Sequence, residues 1–116
     1  MPLKIAVIGG GNIAQKHLPV LQDLADADLE SLVDANPHTL QESADRFDIP
    51  NRWSSHQDLL EKDRPDAVFV MVSVLNMAAV AAEFLQAEIP TFMEKSPGLY
   101  TSDTRKLAAL AKEHGT

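Results

Sequence analysis

The stretch Lys4-Ile5-Ala6-Val7-Ile8-Gly9-Gly10-Gly11-Asn12-Ile13-Ala14 decides how this chain folds. Lys4 to Ile8 reads as a buried strand, because it is short, apolar and followed at once by glycines. From Asn12 to about Ala25 the spacing becomes helical. Ile13, Ala14, His17, Leu18, Leu21 and Leu24 fall on one face of a 3.6-residue period. Pro19 lies inside that pattern, removes a backbone donor and predicts a kink.

Outward from this unit, strand and helix signals alternate. Leu29 to Val33 reads as a second strand ending at Asp34. Asn36-Pro37 then supplies an N-cap and a first-turn proline for a helix carrying Leu40, Ala44 and Phe47. A short third strand is expected at Asn51 to Trp53. Ser55-His56-Gln57-Asp58 resembles a capping box and opens a short helix through Leu59 and Leu60. Ala67-Val68-Phe69-Val70-Met71-Val72 is apolar without alternation, as a central parallel strand buried on both faces requires. A helix from Asn76 to about Gln86, a strand at Thr91 to Met93 and a helix from Ser102 to His114 complete the chain, with Gly115 as C-cap.

The order βαβαβαβαβα predicts an α/β fold, a doubly wound parallel sheet of the Rossmann dinucleotide-binding type. Residues 1–116 are expected to form one such domain. A full fold of this kind has a sixth strand, so the expectation is a domain truncated before it, with a substrate domain lying beyond Thr116.

Composition narrows the function. The chain has 116 residues, of which 45% are hydrophobic, enough for one core. It has no cysteine, which excludes disulfides and thiolate metal sites. A net charge of −7 argues against nucleic acid as a main partner. No apolar run approaches the length of a membrane span, and Ile5-Ala6-Val7-Ile8 ends in glycines, not in a signal cleavage site. A cytoplasmic protein without membrane contact is the expectation. His38, His56 and His114 show no metal-ligand spacing.

Gly9-Gly10-Gly11-Asn12-Ile13-Ala14 fits the pattern G-x-G-x-x-A. Gly9 permits a tight turn out of the strand, Gly11 lets a pyrophosphate approach the backbone, and Ala14 lets the helix pack close to the sheet. The amides of Asn12 and Ile13, at the start of the helix, then point at the phosphates with the helix dipole behind them. Glycines also make ordinary turns, and that is the alternative. Asp34, at the end of the second strand, can accept hydrogen bonds from the adenosine ribose and repels a 2′-phosphate, which favours NAD over NADP. Ala14 at the third glycine position pulls the other way. The charge clash is the stronger effect, so NAD is the expected cofactor. The alternative for Asp34 is a capping or surface carboxylate.

The chain resembles the N-terminal half of the glucose-fructose oxidoreductase, inositol dehydrogenase and rhizopine-catabolism (Gfo/Idh/MocA) family. The likeness is carried by the glycine segment, His17-Leu18-Pro19, Leu32-Val33-Asp34-Ala35-Asn36-Pro37, Pro65-Asp66-Ala67-Val68-Phe69-Val70 and Ile89-Pro90-Thr91-Phe92-Met93-Glu94-Lys95. It covers essentially the whole chain. Its most specific piece is Glu94-Lys95, which in the family reads Glu-Lys-Pro. The resemblance implies that Lys95 is catalytic, lying beside the nicotinamide and the reacting carbon, and that Glu94 supports the cofactor site. Otherwise Lys95 is a surface lysine paired with Glu94. There are departures: Ser96 replaces the proline, Ser73-Val74 replaces a Thr-Pro pair, and Ala78 stands about where a histidine would be. Ser73 can still offer a hydroxyl to the dinucleotide, or simply cap a helix.

The implied activity is hydride transfer between NAD(P) and a sugar, cyclitol or related polyol, with a small-molecule substrate and a possible homo-oligomer. The alternatives are a dinucleotide-binding sensor without chemistry and an S-adenosylmethionine-dependent methyltransferase, in which Glu94-Lys95 has no role. His17 reads as a packed or capping histidine, Trp53 and Phe69 as core, and Glu61-Lys62-Asp63-Arg64 as a solvated turn.

Overall fold

The computed structural model describes residues 2–95, 98 and 100–116. The elements run β1 (Leu3–Ile8), α1 (Asn12–Gln22), β2 (Ala27–Val33), α2 (Pro37–Arg46), β3 (Asn51–Trp53), α3 (His56–Lys62), β4 (Ala67–Val70), α4 (Val74–Gln86), β5 (Thr91–Met93) and α5 (Thr101–His114). All strand pairs among the described residues are parallel, in the order β3-β2-β1-β4-β5. That is the doubly wound arrangement. The chain leaves β1 toward β2 and β3 on one side, then crosses to β4 and β5 on the other.

Alternation along β1 separates two cores. Ile5 and Val7 face α1 and α2, where they meet Leu18, Leu21, Ala44 and Phe47. Ala6 and Ile8 face α3 and α4, where they meet Leu59, Met77 and Phe84. A third cluster joins α4 to α5 through Ala81, Leu85 and Leu107. Ala14 is fully buried at the start of α1, as close packing of that helix on the sheet demands. Among the described residues no helix is long and apolar enough to cross a membrane.

Several boundaries differ from expectation. Helix α1 continues through Pro19 but ends at Gln22, short of Ala25. Asp23 and Leu24 bond back to Val20 and Leu21 in a tightened last turn, and Leu24 is 47% exposed, so burial does not extend the helix. Strand β4 pairs only as far as Val70, after which the backbone turns toward α4. Val68 and Val70 are fully buried, whereas Ala67 and Phe69 on the α1 side are half-buried. The two faces of β4 are therefore unequal, because α1 packs over β1 and β2.

The charged run at Glu61 to Arg64 is not merely a solvated turn. Asp63 accepts from Lys4 Nζ at 2.9 Å and from Asn51 Nδ2 at 3.1 Å, and Arg64 donates to the Ala87 carbonyl. Glu61 and Lys62 close α3, and this corner ties the starts of β1 and β3 to the end of that helix. Asn36 caps α2 by accepting from His38 N and Thr39 N, and Ser55 caps α3 by accepting from Asp58 N. Gly115 ends α5 in the left-handed region at φ 67°.

Candidate functional site

The carboxyl ends of β1, β2 and β4 open onto a cleft of about 580 Å³. Its walls include Gly9 and Gly11, Asp34 and Ala35, Ser55 and His56, and Ser73 and Asn76. It lies where the chain's two halves diverge between β1 and β4, the switch point at which open α/β sheets take ligands.

The three glycines of its floor differ in what each demands. Gly9 has φ +103°, and a Cβ there would lie 2.5 Å from the Met71 carbonyl oxygen. Both backbone and packing therefore require glycine at that position. Gly10 is buried and its groups are all engaged. Its N–H donates to Asp34 Oδ2 at 2.8 Å, while its carbonyl accepts from Gln15 Nε2 at 2.9 Å and Ser43 Oγ at 3.0 Å. Gly11 is the opposite case. It is exposed, its φ of −76° suits any residue, and a Cβ there meets no described atom within 4 Å. Neither backbone angle nor packing calls for glycine at position 11. A plain turn explains Gly9 but not Gly11.

Gly11 is also the N-cap of α1. Among the described residues no side chain caps this helix, and its first turn carries no acid. The amides of Asn12 and Ile13 are thus left with a partial positive charge beside the cleft. A dinucleotide fits this cradle, because its pyrophosphate would fill the space over Gly11 and satisfy those donors.

Asp34 has two tasks. Oδ2 holds Gly10 N and Oδ1 accepts from Asn36 N at 2.8 Å, so the carboxylate fastens the glycine loop to the β2–α2 turn. Each carboxylate oxygen has further acceptor capacity facing the cleft. Ser73 occupies the N-cap position of α4 but makes no cap bond to the helix. Instead its Oγ accepts from Asn76 Nδ2 at 3.3 Å, which leaves its own proton available.

Glu94 leaves the end of β5, where its N–H bonds to the Val70 carbonyl at 3.2 Å. Its Oε1 accepts from the Lys95 backbone N–H at 2.9 Å, and its Oε2 meets His17 Nε2 at 2.7 Å. The Lys95 amide first, and then the His17 bond, hold the Glu94 carboxyl below its ordinary value. Lys95 itself is exposed, and the Glu94 carboxylate is turned to His17. His17 is a packed histidine, as its sequence context indicates, with its ring 6.2 Å from that of Phe92. Ser96 lies outside the described residues. Ala78 packs toward the α4–α5 cluster.

Gln15, Ser43, Asn76 and the Ser54-to-Gln57 segment escape a reading by motif. Asn76 and Ser54-to-Gln57 reach the cleft, and Ser43 reaches the glycine loop, only through the tertiary fold, whereas Gln15 reaches that loop from the next turn of α1. Among the described residues no cluster of His, Asp or Glu could hold a metal ion.

Comparison with known proteins agrees with this geometry. Residues 3–116 match an oxidoreductase family described as having an NAD-binding Rossmann fold, the Gfo/Idh/MocA family. A dTDP-3,4-didehydro-2,6-dideoxy-alpha-D-glucose 3-reductase of Saccharopolyspora spinosa is 29% identical, over 96% of this chain and 33% of that protein. A Gfo/Idh/MocA oxidoreductase from Vibrio cholerae is 36% identical, with a TM-score of 0.88 over 97% of this chain and 36% of that one. GenD2 of gentamicin A biosynthesis, solved with NAD, is 30% identical, with a TM-score of 0.92 over 99% of this chain and 33% of that one. The chain spans about a third of the length of these relatives. A methyltransferase reading has no support among them. The match over residues 3–116, on a doubly wound sheet with a glycine turn after its first strand, places this chain in the Gfo/Idh/MocA oxidoreductase family, as its NAD-binding Rossmann domain.

Proposed function

We propose that this chain is the cofactor half of a dehydrogenase or reductase that moves hydride between NAD and a hydroxyl-bearing carbon of a sugar, cyclitol or related polyol. The observation that carries the reading is Gly11: a glycine required by neither backbone angle nor packing, set over open space beside uncapped helix amides. In this reading Gly9 and Gly10 shape the loop, Gly11 keeps it bare, and the Asn12 and Ile13 amides hold the pyrophosphate. Asp34 accepts the adenosine ribose hydroxyls and repels a 2′-phosphate, which favours NAD over NADP. Ser73 donates its hydroxyl to the dinucleotide.

When bound, NAD supplies a two-electron acceptor at its nicotinamide ring. This chain contributes Lys95, on the loop beyond β5 at the carboxyl end of the sheet. Its ammonium orients the substrate hydroxyl and favours ionisation of that hydroxyl. Glu94 holds the backbone that carries Lys95. The proton acceptor and the pocket that selects the substrate belong to a substrate domain, since the rest of the relatives' length lies outside the match. The sugar substrate class is supported by the relatives: one acts on a dTDP-sugar by name, and a structure from Bordetella pertussis holds UDP-GlcNAcA with NADH.

Calorimetric titration with NAD and NADP, repeated on Asp34→Ala, tests this reading. The expected result is binding of NAD, weaker binding of NADP, and loss of that preference in the variant. Equal binding of both cofactors by the native chain would remove Asp34 from the role given to it.

A further inference from the structure

The start of α1 and the Glu94-Lys95 corner are joined through one side chain that no motif assigns to binding or catalysis. His17 lies on α1, the helix whose first amides form the pyrophosphate cradle. At 1.5 Å per residue it sits about 7.5 Å along the axis from Asn12. Its Nε2 reaches across to Glu94 Oε2 at 2.7 Å, at the end of β5. Glu94 in turn holds the Lys95 amide through its other oxygen at 2.9 Å. The run from the phosphate-binding helix to the Lys95 backbone therefore consists of one covalent helix and two hydrogen bonds.

From the rest of the sheet the β5 end is held by β4, through the Glu94 N–H bond to the Val70 carbonyl, and by Met93 packing on α4, while its tie to α1 is through His17. Among the described residues β5 pairs on one side only, with β4, through Thr91, Phe92 and Met93. Glu94 and Lys95 follow this three-residue strand with no strand partner on its open side among the described residues. Phe92 is 47% exposed, yet its ring packs at a tilt against Phe69, centroids 4.9 Å apart, and lies tilted 6.2 Å from the His17 imidazole. The imidazole is thus oriented by a ring on one side and a carboxylate on the other. His17 and Glu94 side chains are 32% and 24% exposed, so the pair is partly shielded from water and from screening.

We propose that His17 is a positioning residue of the nicotinamide end: its bond to Glu94 fixes the Lys95 corner relative to the phosphate cradle, so that one helix sets the register of both ends of the cofactor. This rests on the dinucleotide reading given above. Nε2 is the donor to the carboxylate. His17 does not touch the cofactor and acts only through Glu94. Loss of the bond frees the corner to move while the cradle stays intact. The effect falls on the nicotinamide half of the ligand and spares the adenosine and pyrophosphate half.

The test compares NAD with ADP-ribose, which lacks the nicotinamide, by calorimetry on the native chain, His17→Ala, His17→Gln and Glu94→Gln. Native chain is expected to bind both, NAD the more tightly. In His17→Ala the NAD affinity should fall about tenfold while that for ADP-ribose changes less than twofold. His17→Gln, which keeps a side-chain donor, should recover most of the loss. Glu94→Gln should show the same selectivity as His17→Ala, and the double variant should lose no more than either alone. Equal loss for the two ligands, no loss for either, or equal affinity of the native chain for both would overturn the proposal. Failure of the native chain to bind ADP-ribose would instead overturn the dinucleotide reading, and the inference with it. If His17→Ala does not fold, as a thermal melt would reveal, the same comparison on Glu94→Gln decides between these outcomes.

Discussion

Adding one methyl group at Gly11 separates what the glycine loop does for folding from what it does for binding. In Gly11→Ala the new Cβ points into space free of described atoms within 4 Å, from a backbone with φ −76°. The helix loses a favourable N-cap residue, which costs about 0.5–1 kcal/mol. The unfolded chain loses conformational freedom, which returns about 0.4–1 kcal/mol. The net change in stability is within about 0.5 kcal/mol, or roughly 2–3 °C in Tm for a domain of this size. For binding, the same methyl stands where a pyrophosphate must approach the Asn12 and Ile13 amides. Loss of at least tenfold in NAD affinity is expected, equivalent to about 1.4 kcal/mol or more. Gly9→Ala is the control with the opposite signature. Its Cβ would sit 2.5 Å from a backbone oxygen at φ +103°, so the cost is about 2–5 kcal/mol of stability. Thermal melts followed by circular dichroism, with NAD titrations on each variant, read both quantities. Native-like NAD binding by Gly11→Ala, or destabilisation by more than about 2 kcal/mol, would refute the assignment of Gly11 to the ligand.

Further outcomes follow from other contacts. Asp34→Ala should lower stability by about 1–3 kcal/mol even without ligand, because Gly10 N and Asn36 N lose their shared acceptor; a melt unchanged from the native one would show that the loop is fixed otherwise. The Glu94 carboxyl is held below its ordinary value of 4.5, so its contribution to stability is present above that pH and is lost as pH falls through the folded-state value. Melts between pH 6 and 3 should therefore fall more steeply for the native chain than for Glu94→Gln, and parallel curves would contradict this. Lys4 is held above its ordinary 10.5 by its bond to Asp63; its contribution is present below that pH and lost as pH rises through the folded-state value, so Lys4→Met should flatten the alkaline limb of the same curve. Leu18→Ala, in the fully buried layer between α1 and the sheet, should cost about 2–5 kcal/mol in chemical denaturation without altering the NAD/NADP preference.

The parts of this fold legible in the sequence are those written in local code. The β1–glycine–α1 unit, the Asn36-Pro37 and Ser55 caps, and the C-terminal glycine each combine an element boundary with a residue that has a physical reason to be there. Periodicity places the remaining elements to within a few residues, with errors where tertiary burial decides, as at the end of α1. The placement of Asp34 and Gly11 at the cleft is also legible, because both positions are tied to strand–turn–helix units. Contacts between residues far apart in the chain are not. In sequence His17 reads as a packed histidine and Glu94 as a support of the cofactor site, and only the fold brings them together to hold Lys95. Asp63 reads as a solvated charge, although its partners Lys4 and Asn51 come from two different strands. Asn76 carries no motif and reaches the cleft because α4 begins at its rim.

The central claim is that a dinucleotide lies across the carboxyl ends of β1, β2 and β4. Titration of the ¹⁵N-labelled chain with NAD, followed by amide NMR shifts, tests it most directly. Saturable shifts are expected at Gly9, Gly11, Asn12, Ile13, Asp34 and Ser73, with smaller ones at Glu94 and Lys95. Shifts confined to other surfaces, or none at millimolar NAD, would contradict it.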